Sequence, residues 1–368
     1  MKIEDIDPNF KAVTIGDKPV VYLNVLNNPF SVEGLPWKGE KGREWPLVRL
    51  PITLKKDEVN EGALWGGQYN TPGATVRFRT DSSFIAIKAK LSYPGDMNHM
   101  PRAGSAGFDL YMGPFGNCMH CGTAQPNPNE IELERQLFTR DPLDTGMKEW
   151  TINFPLYGGV AAVSVGVAPG SAVEAPAPHA HGKILFYGSS ITQGGCASRP
   201  GNMYPSMLCR AVDAEQVNLG FSGCARGELA MAKAIADLDL DAFVYDYDHN
   251  APSVEHLQKT HEPFFKVVRE RHPDLPIIIL SLCNFWRHYG PSSTKDRENR
   301  REVIYTTYKN AIAAGDRHVY FVDGETLFGN HDRDACTVDG CHPNDLGFYR
   351  MYETVLPVLR KALAEANR

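Results

Sequence analysis

Hydrophobic and polar residues follow two different patterns in the first and second parts of this chain of 368 residues. In the first part, short apolar stretches alternate with polar residues and end at Gly, Pro or Asn, which is typical of antiparallel strands. The clearest pair is Thr75–Thr80 and Phe84–Leu91, which flank a polar turn. Further candidate strands are Val20–Val25, Gly107–Met112, Trp150–Phe154 and Val160–Val167. This repetition predicts an antiparallel β-sandwich over residues 1–171.

The second part alternates apolar strands with helices, after a segment 172–182 that is rich in Pro and Ala. We predict an extended linker for this segment, with His179 and His181 exposed to solvent. The predicted strands are Lys183–Tyr187, Val217–Leu219, Ala242–Tyr247, Ile277–Cys283 and His318–Asp323. The predicted helices are Asn202–Val212, Gly227–Ala236, Ser253–Arg271, Lys295–Ala314 and Asn344–Ala366. This order predicts a three-layer α/β domain with a parallel sheet over residues 183–368.

Residues suited to nucleophilic catalysis follow several of the predicted strands. The pair Ser189-Ser190 ends the first strand, Gly223 lies in the loop after the second, and Asn250 follows the third. The loop after the fifth strand holds Asp339 and His342. Because the carboxyl ends of parallel strands meet at one edge of a sheet, we expect these side chains to lie close together.

The chemistry of these residue types is that of a serine nucleophile. A serine hydroxyl needs a base, and the imidazole of His342 is suited to that role near neutral pH. Asp339, three residues earlier, would orient the ring and stabilise its cation. The N–H groups of Ser190 and Gly223 and the side-chain amide of Asn250 would bind an oxyanion. Each residue alone fits a turn or a cap, but their joint position at the strand ends favours catalysis.

Composition excludes several other classes of protein. The net charge of −6 provides no basic surface, which argues against nucleic acid as a partner. No apolar run is long enough to cross a membrane, and the polar, acidic start Met1–Asp7 is not a secretory signal. The eight scattered cysteines indicate free thiols in a reducing compartment, so we expect a cytoplasmic location.

Two groups of residues could bind ligands but have simpler explanations. Cys118-Met119-His120-Cys121 lacks the second ligand pair of a structural zinc site, with His99 only a loose candidate, so we interpret the cysteines as loop thiols. Trp37, Trp45 and Trp65 would stack on sugars if they were exposed, but a core position is favoured.

The motifs of the second part resemble those of the SGNH/GDSL hydrolases. Gly188-Ser189-Ser190-Ile191 stands where that family has Gly-Asp-Ser-Leu, so Ser190 rather than Ser189 matches the nucleophile. Gly223 and Asn250 match the glycine and asparagine blocks, and the segment 339–343 matches Asp-x-x-His-Pro. In the first part, Gly107–Tyr111 is similar to the signature of the Gly-x-Asp-Leu-Tyr domain that precedes some of these enzymes. Two departures are Ser189 in place of aspartate and Ala251 after the asparagine, where the family usually has an acidic residue.

This resemblance implies a serine ester hydrolase that needs no metal or organic cofactor. A β-domain ahead of such a domain is similar to the arrangement in carbohydrate acetylesterases, which favours acetyl or other short acyl esters of sugars or small molecules as substrates. The expected partner is a small acylated substrate, with homo-oligomerisation left open. Loop residues with polar or aromatic side chains are the candidate substrate-binding set: Arg199, Arg226, Trp286, Arg287 and His288.

Two alternatives remain open from the sequence. A lysophospholipase or thioesterase would have a long apolar trough and prefer long acyl chains. A catalytically inactive carbohydrate-binding protein would bind sugars without hydrolysing them. The pH dependence is a further expectation: if His342 is the base, activity should fall as the pH drops through about 6.5, the ordinary pKa of histidine.

Overall fold

The computed structural model describes residues 13–283 and 291–366. Within the described residues, the first part forms two antiparallel sheets. One sheet has the order β1-β2-β10-β5-β8, and the other has the order β11-β4-β9-β6-β7 with β3 paired to β4. The strands are β1 Val13–Ile15, β2 Lys18–Asn24, β3 Ser31–Glu33, β4 Thr75–Thr80, β5 Phe84–Leu91, β6 Phe108–Met112, β7 Met119–Ala124, β8 Glu132–Thr139, β9 Lys148–Asn153, β10 Val160–Val167 and β11 Val173–Glu174. Two short helices interrupt them, α1 Glu61–Trp65 and α2 Arg102–Ser105.

The inner faces of the two sheets share one hydrophobic core. Every second residue of a strand faces the partner sheet, so Ile85 and Ile87 of β5 are buried, as are Leu110 of β6 and Ile152 of β9. Trp150 of β9 is the largest fully buried side chain in the described chain. The predicted antiparallel sandwich is therefore confirmed.

The second part contains a parallel sheet of the order β13-β12-β14-β15-β16. Its strands are β12 His181–Gly188, β13 Ala214–Gly220, β14 Ala242–Asp246, β15 Ile277–Leu280 and β16 Val319–Val322. Its helices are α3 Ser190–Gln193, α4 Tyr204–Val212, α5 Leu229–Ala236, α6 Val254–Arg271, α7 Pro291–Ala313 and α8 Asp345–Ala366. The predicted α/β class with a parallel sheet is confirmed, and each predicted helix matches an observed one to within a few residues.

Both faces of this sheet are covered. Ile184 and Phe186 of β12 lie in a core with α4 and α8, whereas Leu185 and Tyr187 lie in a core with α5 and α6. This alternation explains why the strand is apolar without interruption. The second core also contains Leu50, Val59 and Ala63, so a segment of the first part packs directly on the α/β unit.

Two expectations for the connecting and loop segments are wrong. His179 is not solvated: its Nδ1 lies 2.8 Å from an Asp213 oxygen and its Nε2 lies 2.9 Å from a Glu33 oxygen, and its side chain is 9% exposed. His181 lies at the start of β12 and is partly exposed. Cys121 belongs to strand β7 rather than to a loop, because the polar face of an edge strand gives no clear apolar alternation.

The remaining elements that the sequence did not predict are short or polar. Strand β8 carries mostly charged and polar residues, and only Leu133 and Leu137 of it are buried. Strand β13 begins at Ala214, three residues before the predicted start, because it opens with polar side chains. No helix in the described part of the chain is long and apolar enough to cross a membrane.

Candidate active site

Ser190 lies on a buried turn directly after the first strand of the parallel sheet. It is the first residue of α3 and is 8% exposed. Ser189 caps this helix, because its hydroxyl accepts a hydrogen bond from the N–H of Ile191 at 3.2 Å. The serine that replaces the usual aspartate therefore supports the turn through a local cap. The backbone N–H of Ser189 also donates to the carbonyl of Asp246 at 3.2 Å, which ties the turn to the next strand.

The structure brings His342 and Asp339 to this serine. His342 Nε2 lies 2.9 Å from Ser190 Oγ, and its Nδ1 lies 2.7 Å from Asp339 Oδ2. The other carboxylate oxygen of Asp339 accepts the N–H groups of Cys341 and His342 at 2.9 and 2.7 Å. Although burial opposes ionisation, these hydrogen bonds hold the pKa of Asp339 below its ordinary value. The carboxylate is therefore charged and fixed, as the partner of a general base must be.

The loop after β13 is hydrogen-bonded to the serine turn, and Asn250 is hydrogen-bonded to that loop. The N–H of Ser222 donates to Gln193 Oε1 at 2.8 Å, which fixes this loop to α3. Gly223 has a φ of +69° and open space around it, so its glycine is needed for backbone conformation and not for close approach. The amide of Asn250 donates to the carbonyl of Phe221 at 2.7 Å, and it has a second N–H to offer. Ser190 at the first helical position has a backbone N–H without an intrahelical partner.

Two buried carboxyl groups behind the turn were not predicted. Asp246 accepts hydrogen bonds from the hydroxyls of Thr192 and Tyr204, both at 3.2 Å. Burial and then the neighbouring Asp248 raise the pKa of Asp246 well above its ordinary value. Burial also raises the pKa of Asp248 to about 7, although its Oδ2 accepts the N–H of Leu282 at 2.7 Å. These side chains fix the ends of β14 and β15, where the sheet meets the site.

A second imidazole, that of His249, lies near His342 but is not a candidate for the general base. His249 directly precedes Asn250, and its Nε2 lies 3.4 Å from the thiol sulfur of Cys283. Burial and then the proximity of His342 lower the pKa of His249 to about 3. His249 is therefore neutral at physiological pH and adds no positive charge to the site.

The first part of the chain supports the serine side of the site directly. Arg49 is fully buried, and its guanidinium donates to the carbonyls of Gly67, Asn218 and Gly220 at 2.5 to 3.1 Å. It also lies over the ring of Phe221 at 4.3 Å. Burial lowers the pKa of Arg49 to about 9, so the group is still charged at neutral pH. Arg49 thus fixes the end of β13, from which the Gly223 loop begins.

Two further contacts connect the first part of the chain to α3. The side-chain amide of Gln193 donates to the side chain of Asn70 and to the carbonyl of Leu156, at 3.0 and 3.1 Å. The hydroxyl of Tyr157 donates to the carbonyl of Ser190 at 3.4 Å. No sequence motif indicated these contacts, because each joins residues that are far apart along the chain.

The predicted substrate-binding residues have different surroundings. Arg199 is bound to Asp109 at 2.9 Å and to the hydroxyl of Tyr111, so it joins the Gly-x-Asp-Leu-Tyr segment to the α/β unit. Arg226 follows the Gly223 loop and is partly exposed, and its buried Nε has no hydrogen-bond partner. The other three lie outside the described residues: Trp286, Arg287 and His288.

The three tryptophans of the first part also differ. Trp37 and Trp45 are partly buried, Trp37 against the second core and Trp45 edge-on to Tyr69 at 4.9 Å. Trp65, at the end of α1, is 73% exposed. Gly62 of the same helix lies so close to Cys224 that an added Cβ would come within 2.5 Å of its sulfur. The exposed ring therefore belongs to a helix that packs beside Cys224, and the expected core position is wrong for Trp65.

Potential metal ligands converge at one place among residues 13–283 and 291–366. The ligand atoms of His99, Asp339 and His342 lie within 4.8 Å of one another. Cys118 and Cys121 form no such group there; their thiols donate to the carbonyls of Phe115 and Met119, at 3.2 and 3.3 Å.

The fold and this geometry agree with the comparisons to known families. Residues 181–360 match the GDSL-like lipase/acylhydrolase family, and residues 20–173 match the N-terminus of SGNH-hydrolase-type esterases, the GxDLY domain. The chain therefore joins a GxDLY domain to a domain of the GDSL-like lipase/acylhydrolase family. No curated protein matches the sequence.

Solved structures share this two-part architecture. A protein described as a GDSL-like lipase from Bacteroides ovatus is 29% identical, with a TM-score of 0.81 over 94% of this chain and 98% of that one. The salicylyl-acyltransferase SsfX3 of a tetracycline biosynthetic pathway is 19% identical, with a TM-score of 0.74 over 95% and 98%. The acetyl xylan esterase Est2A from Butyrivibrio proteoclasticus is 16% identical, with a TM-score of 0.57 over 94% and 99%. The last two likenesses show the fold alone.

Proposed function

We propose that this protein is a serine ester hydrolase that removes acetyl or other short acyl groups from carbohydrate or small-molecule esters. The observation that carries the proposal is the continuous hydrogen-bonded chain from Asp339 through His342 to Ser190 Oγ, beside the Gly223 loop. A serine with a base in hydrogen-bond reach, and a base oriented by a carboxylate, is the arrangement that acyl transfer to water requires.

The reaction would proceed in two steps. Ser190 Oγ attacks the ester carbonyl while its proton passes to His342 Nε2, and the negative charge collects on the former carbonyl oxygen. The N–H groups of Ser190 and Gly223 and the free N–H of the Asn250 amide would stabilise that oxygen. The alkoxide leaves with the proton from His342, and the acyl group stays on Ser190. Water, deprotonated by the same imidazole, then releases the acid and restores the serine.

The preference for short acyl groups and sugars is supported by the openness of the site. The side chains of His342 and Asp339 are 23% and 36% exposed, and Gly223 is exposed as well. An open, polar rim suits a hydrated sugar ester better than a long alkyl chain, which needs an apolar trough. Proteins of similar fold include the acetyl xylan esterase Est2A and a family two carbohydrate esterase from Clostridium thermocellum in complex with cellohexaose.

The proposal is tested with a chromogenic acetate ester and two adjacent serine variants. Ser190→Ala should lower kcat by about a thousandfold or more, because it removes the nucleophile. Ser189→Ala is the matched control, since its hydroxyl caps α3 and should cost only about 1 kcal/mol of stability. Equal turnover by wild type and Ser190→Ala would refute the proposed hydrolase.

The same assay separates the substrate classes. Acetate and butyrate esters, and acetylated oligosaccharides, should be turned over faster than esters of twelve or more carbons. The opposite order would favour the lysophospholipase or thioesterase alternative. Binding of oligosaccharides by a wild-type protein that hydrolyses none of the esters would favour the inactive binding protein.

A further inference from the structure

We propose that His99, Asp339 and His342 form a binding site for a transition-metal cation such as Zn²⁺, and that the bound cation inhibits the enzyme. The ligand atoms of these three residues lie within 4.8 Å of one another. His99 comes from the loop between β5 and α2, and its ring packs edge-on against that of His342, with centroids 5.6 Å apart. Asp339 is exposed and His99 and His342 are partly exposed, so an ion can reach all three from solvent.

The donor set suits zinc more than magnesium or calcium. Two imidazole nitrogens and one carboxylate oxygen, with one position open for water, are a common ligand set for Zn²⁺, whereas hard cations prefer oxygen ligands. Tetrahedral zinc with bonds of about 2.0–2.1 Å separates its ligand atoms by about 3.3–3.4 Å, so atoms that are 4.8 Å apart must approach one another by about 1.4 Å. His99 lies in a loop, and its Nδ1 lies 3.1 Å from the side-chain oxygen of Asn98. This contact leaves Nε2 of His99 for the metal and orients the ring, as partners of metal-binding histidines do.

Metal binding and catalysis compete for the same atoms. In the structure His342 uses Nε2 for Ser190 and Nδ1 for Asp339. A cation on Nε2 would occupy the lone pair that accepts the serine proton. A cation on Nδ1 would displace the carboxylate that orients the ring. Either mode removes the general base, so the bound ion is inhibitory and not a cofactor.

His99 is the residue that makes this site specific to the two-part architecture. Without it, the loop after β16 offers only the Asp339 carboxylate and the His342 ring, and two ligands bind zinc weakly. The third ligand comes from the GxDLY domain, which thereby contributes a side chain to the edge of the catalytic centre. The inhibitory part of this inference depends on the proposed hydrolase, whereas the binding part does not.

Binding is measured first, on the Ser190→Ala protein, which keeps all three ligands. Titration calorimetry with ZnCl₂ at pH 7.5 should show one saturable site per chain, and Ca²⁺ or Mg²⁺ at equal concentration should not bind there. Adding His99→Gln should weaken zinc binding by about tenfold or more. Adding Cys341→Ser is the matched control, because this exposed thiol lies in the same loop and is not part of the ligand group; it should leave the affinity unchanged. Equal zinc affinity with and without His99 would overturn the proposal, as would the lack of a saturable site.

Inhibition is measured second, on proteins that keep Ser190. Zinc should inhibit ester hydrolysis by the wild type, and a chelator should restore the rate. His99→Gln should need about tenfold more zinc for half inhibition, relative to its own metal-free rate. Zinc that binds through His99 without changing the rate would refute inhibition. If no ester is hydrolysed even without metal, the hydrolase proposal fails while the calorimetric result still decides the metal site.

Discussion

Ser190 and His342 are hydrogen-bonded to each other, yet their surroundings differ in almost every respect. Ser190 lies on a nearly buried turn that is fixed by Ser189, Asp246 and Gln193, and through Gln193 and Arg49 by the first part of the chain. His342 and Asp339 lie on an exposed loop in which the hydrogen bonds of Asp339 come from its own neighbours. Ser190 is held by long-range contacts, whereas the carboxylate that orients His342 is held by its neighbours in the sequence.

This difference assigns separate tasks to the two sides. In the proposed mechanism, the buried side places the hydroxyl of Ser190, whose position must be fixed before the reaction begins. The exposed side supplies the titratable groups, which exchange protons with water and are open to ions. Variants on the exposed side should therefore change activity much more than stability, and variants that remove long-range contacts of the buried side should change both.

The largest effect is expected on the exposed side, from Asp339→Asn. Asparagine can still accept the backbone N–H groups of residues 341 and 342, but it carries no charge to stabilise the imidazolium and permits the wrong ring tautomer. We expect kcat to fall by about a hundredfold to ten-thousandfold, with a loss of unfolding free energy smaller than that of the buried variants. Ester kinetics and urea unfolding of the same preparation measure both quantities. If Asp339→Asn lost as much unfolding free energy as the Arg49→Met variant described below, Asp339 would not be held by local hydrogen bonds alone.

A second, smaller effect is expected on the buried side, from Arg49→Met. Methionine cannot donate to the carbonyls of Gly67 and Gly220, so the end of β13 should loosen. We expect a loss of about 3 kcal/mol in unfolding free energy, the range for buried hydrogen bonds to a charged donor. Because the Gly223 loop begins there, kcat should also fall by about tenfold.

Arg77→Met is the matched control for this variant. Arg77 is almost equally buried, but its guanidinium contacts residues outside the Gly223 loop: Glu33, Glu149, His179 and the carbonyl of Ala177. It should therefore lower stability without lowering kcat. If both variants lowered kcat in proportion to lost stability, Arg49 would have no separate positioning role.

The contrast also separates what the sequence could predict from what it could not. The candidate residues follow strand ends or belong to short motifs, so the local sequence was enough to propose them: Ser190, Gly223, Asn250, Asp339 and His342. Arg49 and Asn218 are 169 residues apart, and a lone arginine in a proline-containing segment carries no pattern that points to its partner. His99 contacts His342 only because the two parts of the chain pack together.

The fold shows the same limit. The strand Ile277–Leu280 could be predicted from its uninterrupted apolar run, because both of its faces are buried. Strands β7 and β8 could not be predicted, because their exposed faces carry polar residues. Tertiary contacts decide that β7 pairs with β6 and that β8 pairs with β5. The solvated linker histidine was predicted from composition alone, which does not reveal that Glu33 and Asp213 lie on either side of His179.

A third prediction concerns how stability varies with pH, and it again distinguishes the two sides. Burial raises the pKa of Asp248 to about 7, whereas the unfolded value is about 3.9. The folded state keeps this proton to higher pH than the unfolded state, so the group lowers stability progressively as the pH rises from about 4 to about 7. Asp248→Asn should abolish this penalty and be more stable than wild type at pH 8, by an amount on the order of 2 kcal/mol. The advantage should shrink as the pH approaches 4.

Asp339→Asn is the control for this measurement. The pKa of Asp339 is lowered in the folded state, so its contribution to stability is constant above about pH 4, the unfolded pKa, and is lost only as the pH falls below that value. This variant should not gain stability at pH 8. Urea unfolding of the three proteins at pH 5 and pH 8 measures the comparison. An Asp248→Asn protein that gains nothing at pH 8 would show that the buried carboxyl is already compensated by its neighbours.

The smallest effect is expected at the rim of the buried side, from Trp65→Ala. The ring is 73% exposed and α1 packs beside Cys224, so its removal should leave the unfolding free energy unchanged within about 0.5 kcal/mol. If the ring stacks on a sugar, KM for an acetylated oligosaccharide should rise about threefold, which corresponds to less than 1 kcal/mol of lost contact. KM for a small acetate ester should stay constant, because that substrate does not extend beyond the Gly223 loop. An equal rise in KM for both substrates would show that Trp65 supports the Gly223 loop. No change in KM for either substrate would show that Trp65 has no role in substrate binding.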